Sequence, residues 1–198
     1  MKKLPDLIIE RSLSLPEGAV LAAKEFLNLG SRAAVDQALS RLTKAGRLLR
    51  VCRGFYVAPV KSRFGERAPD PEKVVSSLAE KSCESVASSG ARAANALGLT
   101  HQVPVRQKFL TNGRSRTLTI GNAKVELSHA PKWMLGLGTS PAGDAVRALA
   151  WLGETQARRV VPQLHRRLPQ AEWFRLIATQ AALPAWMARI LGWEAAHG

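Results

Sequence analysis

The 198-residue sequence predicts an α+β fold, mostly helical, in which a small N-terminal domain precedes a C-terminal domain with a short antiparallel sheet and helices. Three observations predict it. Apolar residues recur at helical spacing at Val35, Ala38, Leu39 and Leu42, then give way to strand formers between Leu49 and Val57. A second change of period falls after Arg106, where short β-prone runs are punctuated by Asn112-Gly113 and Gly121-Asn122. From Pro141 onward the pattern is helical again, interrupted by Gly153, Pro169 and Pro184.

The first elements are expected within residues 1–60. Leu4–Leu13 forms a helix, and Val20–Leu29 a short second helix that ends at Gly30. Ser31 caps a third helix, because its hydroxyl can accept from an unpaired first-turn N–H. Gly46 follows the last periodic residue and can take the left-handed conformation that closes a helix. At 100° per residue the apolar stripe leaves Ala33, Gln37, Ser40, Arg41 and Lys44 on the opposite face. Leu49, Val51 and Tyr56 then make a hairpin about an Arg53-Gly54 turn, with Arg50 and Arg53 near its tip.

A helix pair followed by a basic hairpin is the order of a winged helix-turn-helix, whose recognition helix enters the major groove. The expected partner is duplex DNA. Gln37, Ser40 and Arg41 are placed to read bases, and Arg32, Lys44, Arg50 and Arg53 to hold phosphates. Ala33 would let the helix approach the groove floor. A solvated helix face also carries Gln, Arg and Lys for solubility alone.

Pro59–Pro71 holds three prolines, a glycine and mixed charge, with Lys61, Arg63 and Arg67, and residues 61–70 within it read as a linker. It is either a mobile segment that adds phosphate contacts or a rigid connection. The C-terminal domain, 71–198, opens with a helix over Pro71–Ser82, followed by a short one from Ala91 to Leu97. Strands at Lys108–Thr111, Thr117–Ile120 and Lys124–Leu127 are expected to form a three-strand meander. Its cations, Lys108, Arg114, Arg116 and Lys124 among them, suit a polyanion or an acidic partner, or protect sheet edges from aggregation. Helices follow at Asp144–Leu152, Glu154–Leu168, Gln170–Leu183 and Ala185–Ala195, with Pro162 expected to kink or split the second. Trp133, Trp151, Trp173, Trp186 and Trp193 read as core in preference to a stacking platform. Arg158, Arg159, Arg166 and Arg167 form a basic cluster that suits a solvated helix face or a phosphate.

Composition narrows the function. The formal net charge is +14, with 13 Lys and Arg against 6 Asp and Glu in residues 1–67 and 16 against 9 in residues 68–198, so each part carries +7. Both parts therefore suit polyanionic partners, RNA included. Cys52 and Cys83 stand apart, no Cys/His cluster has zinc spacing, and no metal or other cofactor is expected. His101, His129, His165 and His197 are scattered, acids are sparse after Glu84, and no phosphate loop, metalloprotease or nucleophile motif appears, so no catalytic residue is assigned. Pro5, Asp6 and Glu10 interrupt any leader-like apolar run, and no stretch is long enough to cross a bilayer. The expected location is the cytoplasm, with no membrane partner.

One stretch resembles a known family. Phe26-Leu27, Gly30-Ser31-Arg32, Ala34 through Leu42, Gly46-Arg47, Arg50-Val51, Arg53 through Val57 and Pro59 are similar to the N-terminal domain of the AbiE-type antitoxins of type IV toxin–antitoxin, abortive-infection systems. The likeness extends more weakly through Ser89-Gly90-Ala91, Asn95, Leu97-Gly98-Leu99 and Phe109-Leu110-Thr111, to about Leu152. The resemblance implies a winged-helix repressor of its own operon. It also implies a second domain that opposes a nucleotidyltransferase toxin, acting on the toxin's target or effects without a tight complex. The alternative is a plain winged-helix transcriptional regulator whose C-terminal part senses a ligand or dimerises. A third reading, an RNA-processing enzyme using the basic meander, would need acids that the sequence does not cluster.

Overall fold

A computed structural model describes residues 3–63 and 65–198. In chain order the elements are α1 (Leu4–Leu13), β1 (Val20–Ala22), a 3-10 turn (Ala23–Phe26), α2 (Arg32–Lys44), β2 (Leu49–Cys52), β3 (Phe55–Val57), β4 (Val60–Ser62), β5 (Gly65–Arg67), α3 (Pro71–Ser82), β6 (Val86–Ser88) and α4 (Gly90–Ala96). They continue with β7 (Gln107–Thr111), β8 (Arg116–Ile120), β9 (Ala123–His129), α5 (Lys132–Leu135), α6 (Pro141–Arg167), α7 (Gln170–Ala178), a 3-10 turn (Gln180–Ala182) and α8 (Ala185–His197). The fold is α+β and mostly helical, with small antiparallel sheets.

The chain forms two compact units. One contains the residues up to Glu84 together with Arg116–Glu126; the other contains Ser85–Ser115 and Leu127–Gly198. α3, expected in the C-terminal domain, thus falls in the first unit.

In the first unit, α1 carries Pro5 in its first turn, where a missing N–H costs nothing, and buries Ile8. α2 starts where expected: Ser31 Oγ accepts from Ala34 N at 3.3 Å. Val35, Ala38, Leu39 and Leu42 are its buried stripe. They pack with Ile8, Leu21, Phe26, Leu48 and Tyr56. Gly46 and Gly54 adopt φ of +71° and +79°, closing the helix and turning the hairpin.

The short helix expected over Val20–Leu29 does not form. Val20–Ala22 is a strand paired antiparallel with β3, Val20 opposite Val57 and Leu21 opposite Tyr56, so the sheet order is β1-β3-β2. A three-residue apolar run has no period that separates strand from helix. Here the open side of β3 decided it, because pairing there buries Val20 and Leu21 completely. Only the 3-10 turn remains of the expected helix, with Ala22 N donating to Glu25 Oε1 at 3.0 Å.

The expected linker contains the hairpin of β4 and β5; Phe64, part of that stretch, lies outside the described residues. Its end is fastened by Glu17. That carboxylate accepts from Lys73 Nζ at 2.7 Å and from Asp70 N at 3.2 Å, and pairs with Arg67 at 3.1 Å. These donors, Lys73 first, lower its pKa to about 2.

The expected meander is reordered. The four-stranded sheet runs β6-β7-β9-β8, with β6 added and β9, not β8, beside β7. β9 is the longest strand, and Val125 and Leu127 on its inner face are buried, so the central position suits it. Neighbours in sequence are thus not all neighbours in this sheet. β6 has only three residues, too few to show a period.

In the second unit, α6 breaks at Gly153 (φ 76°, ψ 169°) and runs on through Pro162, which does not split it. Val161 and Leu164, on either side of that proline, are buried in the main helical core with Trp173, Leu176, Met187 and Leu191, and this packing outweighs the lost hydrogen bond. The segment expected as one helix over Gln170–Leu183 ends at Ala178 and closes with a 3-10 turn. Trp173 is buried and stacks on His165 at 4.1 Å, and Trp133 and Trp186 are partly buried. Trp151 and Trp193 are not core: they are 44% and 64% exposed.

Small residues bring α4 against α6. Ala93, Ala94 and Ala148 are buried together, and a Cβ on Gly90 would come within 2.5 Å of Arg147 O and of Trp151 Cβ. Arg147 is itself fully buried. Its guanidinium donates to Gly138 O (2.8 Å), Met134 O (3.1 Å) and Asp144 Oδ1 (2.7 Å), tying the end of α5 to α6. Asp144 Oδ1 also accepts from Ser88 Oγ at 2.8 Å.

Candidate nucleic-acid interface

The site begins with the phase of α2. Burial of four residues at helical spacing turns Arg32, Ala33, Gln37, Ser40, Arg41 and Lys44 outward, and all six are exposed. A flat, small-residue entry at Ala33 and a run of donors from Gln37 to Lys44 make a surface that can lie against base edges and phosphates.

Arg32 is engaged within the helix. Its Nε donates to Asp36 Oδ2 at 2.9 Å, but the side chains are 64% and 50% exposed, so the pair contributes only a few tenths of a kcal/mol. Breaking this exposed pair to bind an anion would cost little. Arg47, absent from the expected site, is exposed in the connection from α2 to β2. Its signal was its position, in the tight turn between the expected reading helix and the hairpin.

The hairpin carries its cations on display. Arg50 on β2 and Arg53 at the turn are exposed. The register shifts between Arg50 and Cys52, a bulge that re-aims the strand next to the turn. Cys52 is half-buried beside it, and burial pushes its thiol pKa up, so it is a poor nucleophile.

The four cations expected on the sheet do not form one surface on a single unit. Lys108 and Arg114 belong to the second unit, Arg116 and Lys124 to the first. Lys108, Arg114 and Lys124 are exposed. Arg116 instead makes a two-pronged pair with Glu84, at 3.0 Å and 2.9 Å, with both side chains largely covered. That fork joins the C-terminal end of α3 to β8 and covers most of the Arg116 side chain. The basic cluster on α6 is likewise divided. Arg158 pairs with Glu154 at 2.7 Å, and Arg167 donates to Leu97 O and Gly98 O at 2.8 Å and 2.7 Å.

Among the described residues no three His, Cys, Asp or Glu side chains converge in a way that could hold a metal ion. Among the same residues no helix is long and apolar enough to cross a membrane.

Comparison with known proteins bears on the fold. The chain is similar to the crystal structure of the RV2827C protein from Mycobacterium tuberculosis, with a TM-score of 0.57 at 14% identity over 98% of this chain and 76% of that one. A likeness at that identity shows a shared fold and nothing about partners. No curated protein matches the chain. The model of a family of unknown function, DUF6088, matches residues 7–169, most of the chain, and the protein belongs to that family.

Proposed function

We propose that this protein is a cytoplasmic antitoxin of the type IV kind: a winged-helix repressor that binds duplex DNA in its own promoter and opposes a nucleotidyltransferase toxin. The observation that carries the DNA-binding part is the order of the first unit. A helix, a strand, a short 3-10 turn, a capped helix and a two-strand hairpin follow one another, with the first strand added to the hairpin's return strand. This is the order of a winged helix, and the strand found at Val20–Ala22 supports the reading better than the expected helix would. In it α2 enters the major groove, Gln37, Ser40 and Arg41 read bases, and Arg32, Lys44, Arg47, Arg50 and Arg53 hold phosphates. The antitoxin part rests on the residue resemblance carried by Gly30 through Pro59. No catalytic group, metal or cofactor enters the proposal.

The test is a footprint and gel-shift titration on the DNA upstream of the gene. Wild type is expected to protect a discrete site. Arg41→Ala should cost about 1–3 kcal/mol there and relax specificity at one position. Lys44→Ala should instead weaken all sequences alike and lower the salt slope by about 1. Binding without a preferred site, equal in wild type and Arg41→Ala, would remove the repressor role. Co-expression with a nucleotidyltransferase toxin encoded beside the gene tests the other half, and unrelieved growth arrest would overturn it.

A further inference from the structure

The second unit holds a cleft of about 500 Å³ that the operator reading leaves unused. One wall is the outward face of β7 and the residues before it. Phe109 and Thr111 are buried on one side of the strand, so Leu110, Lys108 and, by the same alternation, Arg106 line the other. The opposite wall is α6, where Trp151 stands one turn beyond the buried Arg147 and just before the break at Gly153. Val105, 97% exposed, and Met134 add to the apolar lining.

Two features of this cleft call for a ligand. Trp151 remains 44% exposed although its Cβ is pressed against Gly90 of α4, so a large aromatic surface is held in place and left open. The charged side chains that line the cleft are all cationic. Arg147 is buried and donates to its carbonyls and to Asp144, whereas Arg106 and Lys108 lie exposed at the surface of the cleft. A flat apolar face beside two cations fits a nucleotide unit, with the base on the indole and phosphates along the strand edge. A duplex hides its bases in the stack, whereas a single strand offers them.

We infer that this cleft binds single-stranded nucleic acid, with a base stacked on Trp151 and the backbone held by Arg106 and Lys108. The inference stands on the cleft alone and does not depend on the operator reading. It gives the second half of the chain a binding chemistry distinct from the helix face of α2.

The experiment is a fluorescence-anisotropy titration of the full chain with a short labelled oligouridylate at physiological salt, competed by unlabelled uridine monophosphate and by a blunt duplex. Trp151→Ala, which leaves the charge unchanged, is expected to weaken oligouridylate binding about tenfold, within the range for loss of one stacked base. Arg106→Glu, at an exposed position, should weaken it at least as much. Trp151→Phe should restore most of the binding, and Trp193→Ala, which removes the other exposed indole, should change nothing. Weak competition by the mononucleotide identifies a strand as the occupant; competition as strong as the oligomer's overturns the strand in favour of a single nucleotide. Equal affinity of wild type, Trp151→Ala and Arg106→Glu would overturn the inference, since binding would then reflect net charge alone. Loss of oligouridylate binding in Trp151→Ala with upstream-duplex binding retained separates this site from α2. Loss of duplex binding in Arg41→Ala with oligouridylate binding retained does the converse.

Discussion

Residues 31–57 and the segments from Ser85 to Trp151 in the second unit both present cations on an ordered backbone, but they reach that state by different routes. In α2 and its hairpin every determinant is local. A serine caps the helix, four apolar residues at one phase decide which face is buried, and two glycines with positive φ end the helix and turn the hairpin. In the second unit the decisive contacts join residues far apart. Ser88 meets Asp144, Gly90 meets Arg147 and Trp151, and the guanidinium of Arg147 satisfies a carbonyl of α5 and one in the turn after it. A local surface follows from a repeating pattern, whereas a cleft lined by a strand and a helix follows from what packs behind it.

Breaking the long-range network should have the largest effect. Arg147→Ala removes a buried cation and strands two carbonyls and Asp144, and is expected to cost about 3–5 kcal/mol in denaturant unfolding. Arg147→Met, which keeps the volume and loses the charge, sharpens the comparison: a loss as large as alanine's assigns the cost to the hydrogen bonds rather than to the void. On the local side, Ser31→Ala leaves the first turn of α2 without its cap and should cost about 1 kcal/mol, read as a shifted urea midpoint at unchanged slope.

The smallest effect is expected at Glu17. Its carboxyl pKa is held at about 2, below the ordinary 4.5, by Lys73, the Asp70 amide and Arg67. The folded pKa is the lower one, so the contribution is present above pH 4.5 and is lost as pH falls toward 2. Glu17→Gln should therefore lower the melting temperature slightly at neutral pH, with the difference from wild type closing across that acid window. A difference that persists at pH 2 would show that the loop depends on packing and not on the ion pairs. The effect is small because Lys73 and Arg67 are more than half exposed.

The helix face of α2 was legible because one side chain in three or four must be buried, and the remainder is then fixed by geometry. Arg32 and Arg116 show where that legibility stops. Both read as available cations, and both are paired. The partner of Arg32 is four residues away and visible in the sequence; that of Arg116, Glu84, is 32 residues away. Trp151 and Trp193 misled for the same reason, since an indole's burial depends on which helix covers it. Cys52 behaves likewise: its spacing showed only that it had no cysteine partner, and its depth beside Arg50 came from the fold.

The sequence by itself determined the α+β class, the span, cap and outward face of α2, the turn at Arg53-Gly54 and the break at Gly153. Each is set by contacts within a few residues, where backbone preferences and a repeating apolar phase leave one low-energy choice. Only the tertiary structure decided that Val20–Ala22 is a strand, that β9 lies inside the sheet, that Pro162 stays within a helix and that Arg147 is buried. In each of these the local preferences are weak or opposed, and the free energy of pairing, burial and hydrogen bonding to distant residues sets the outcome.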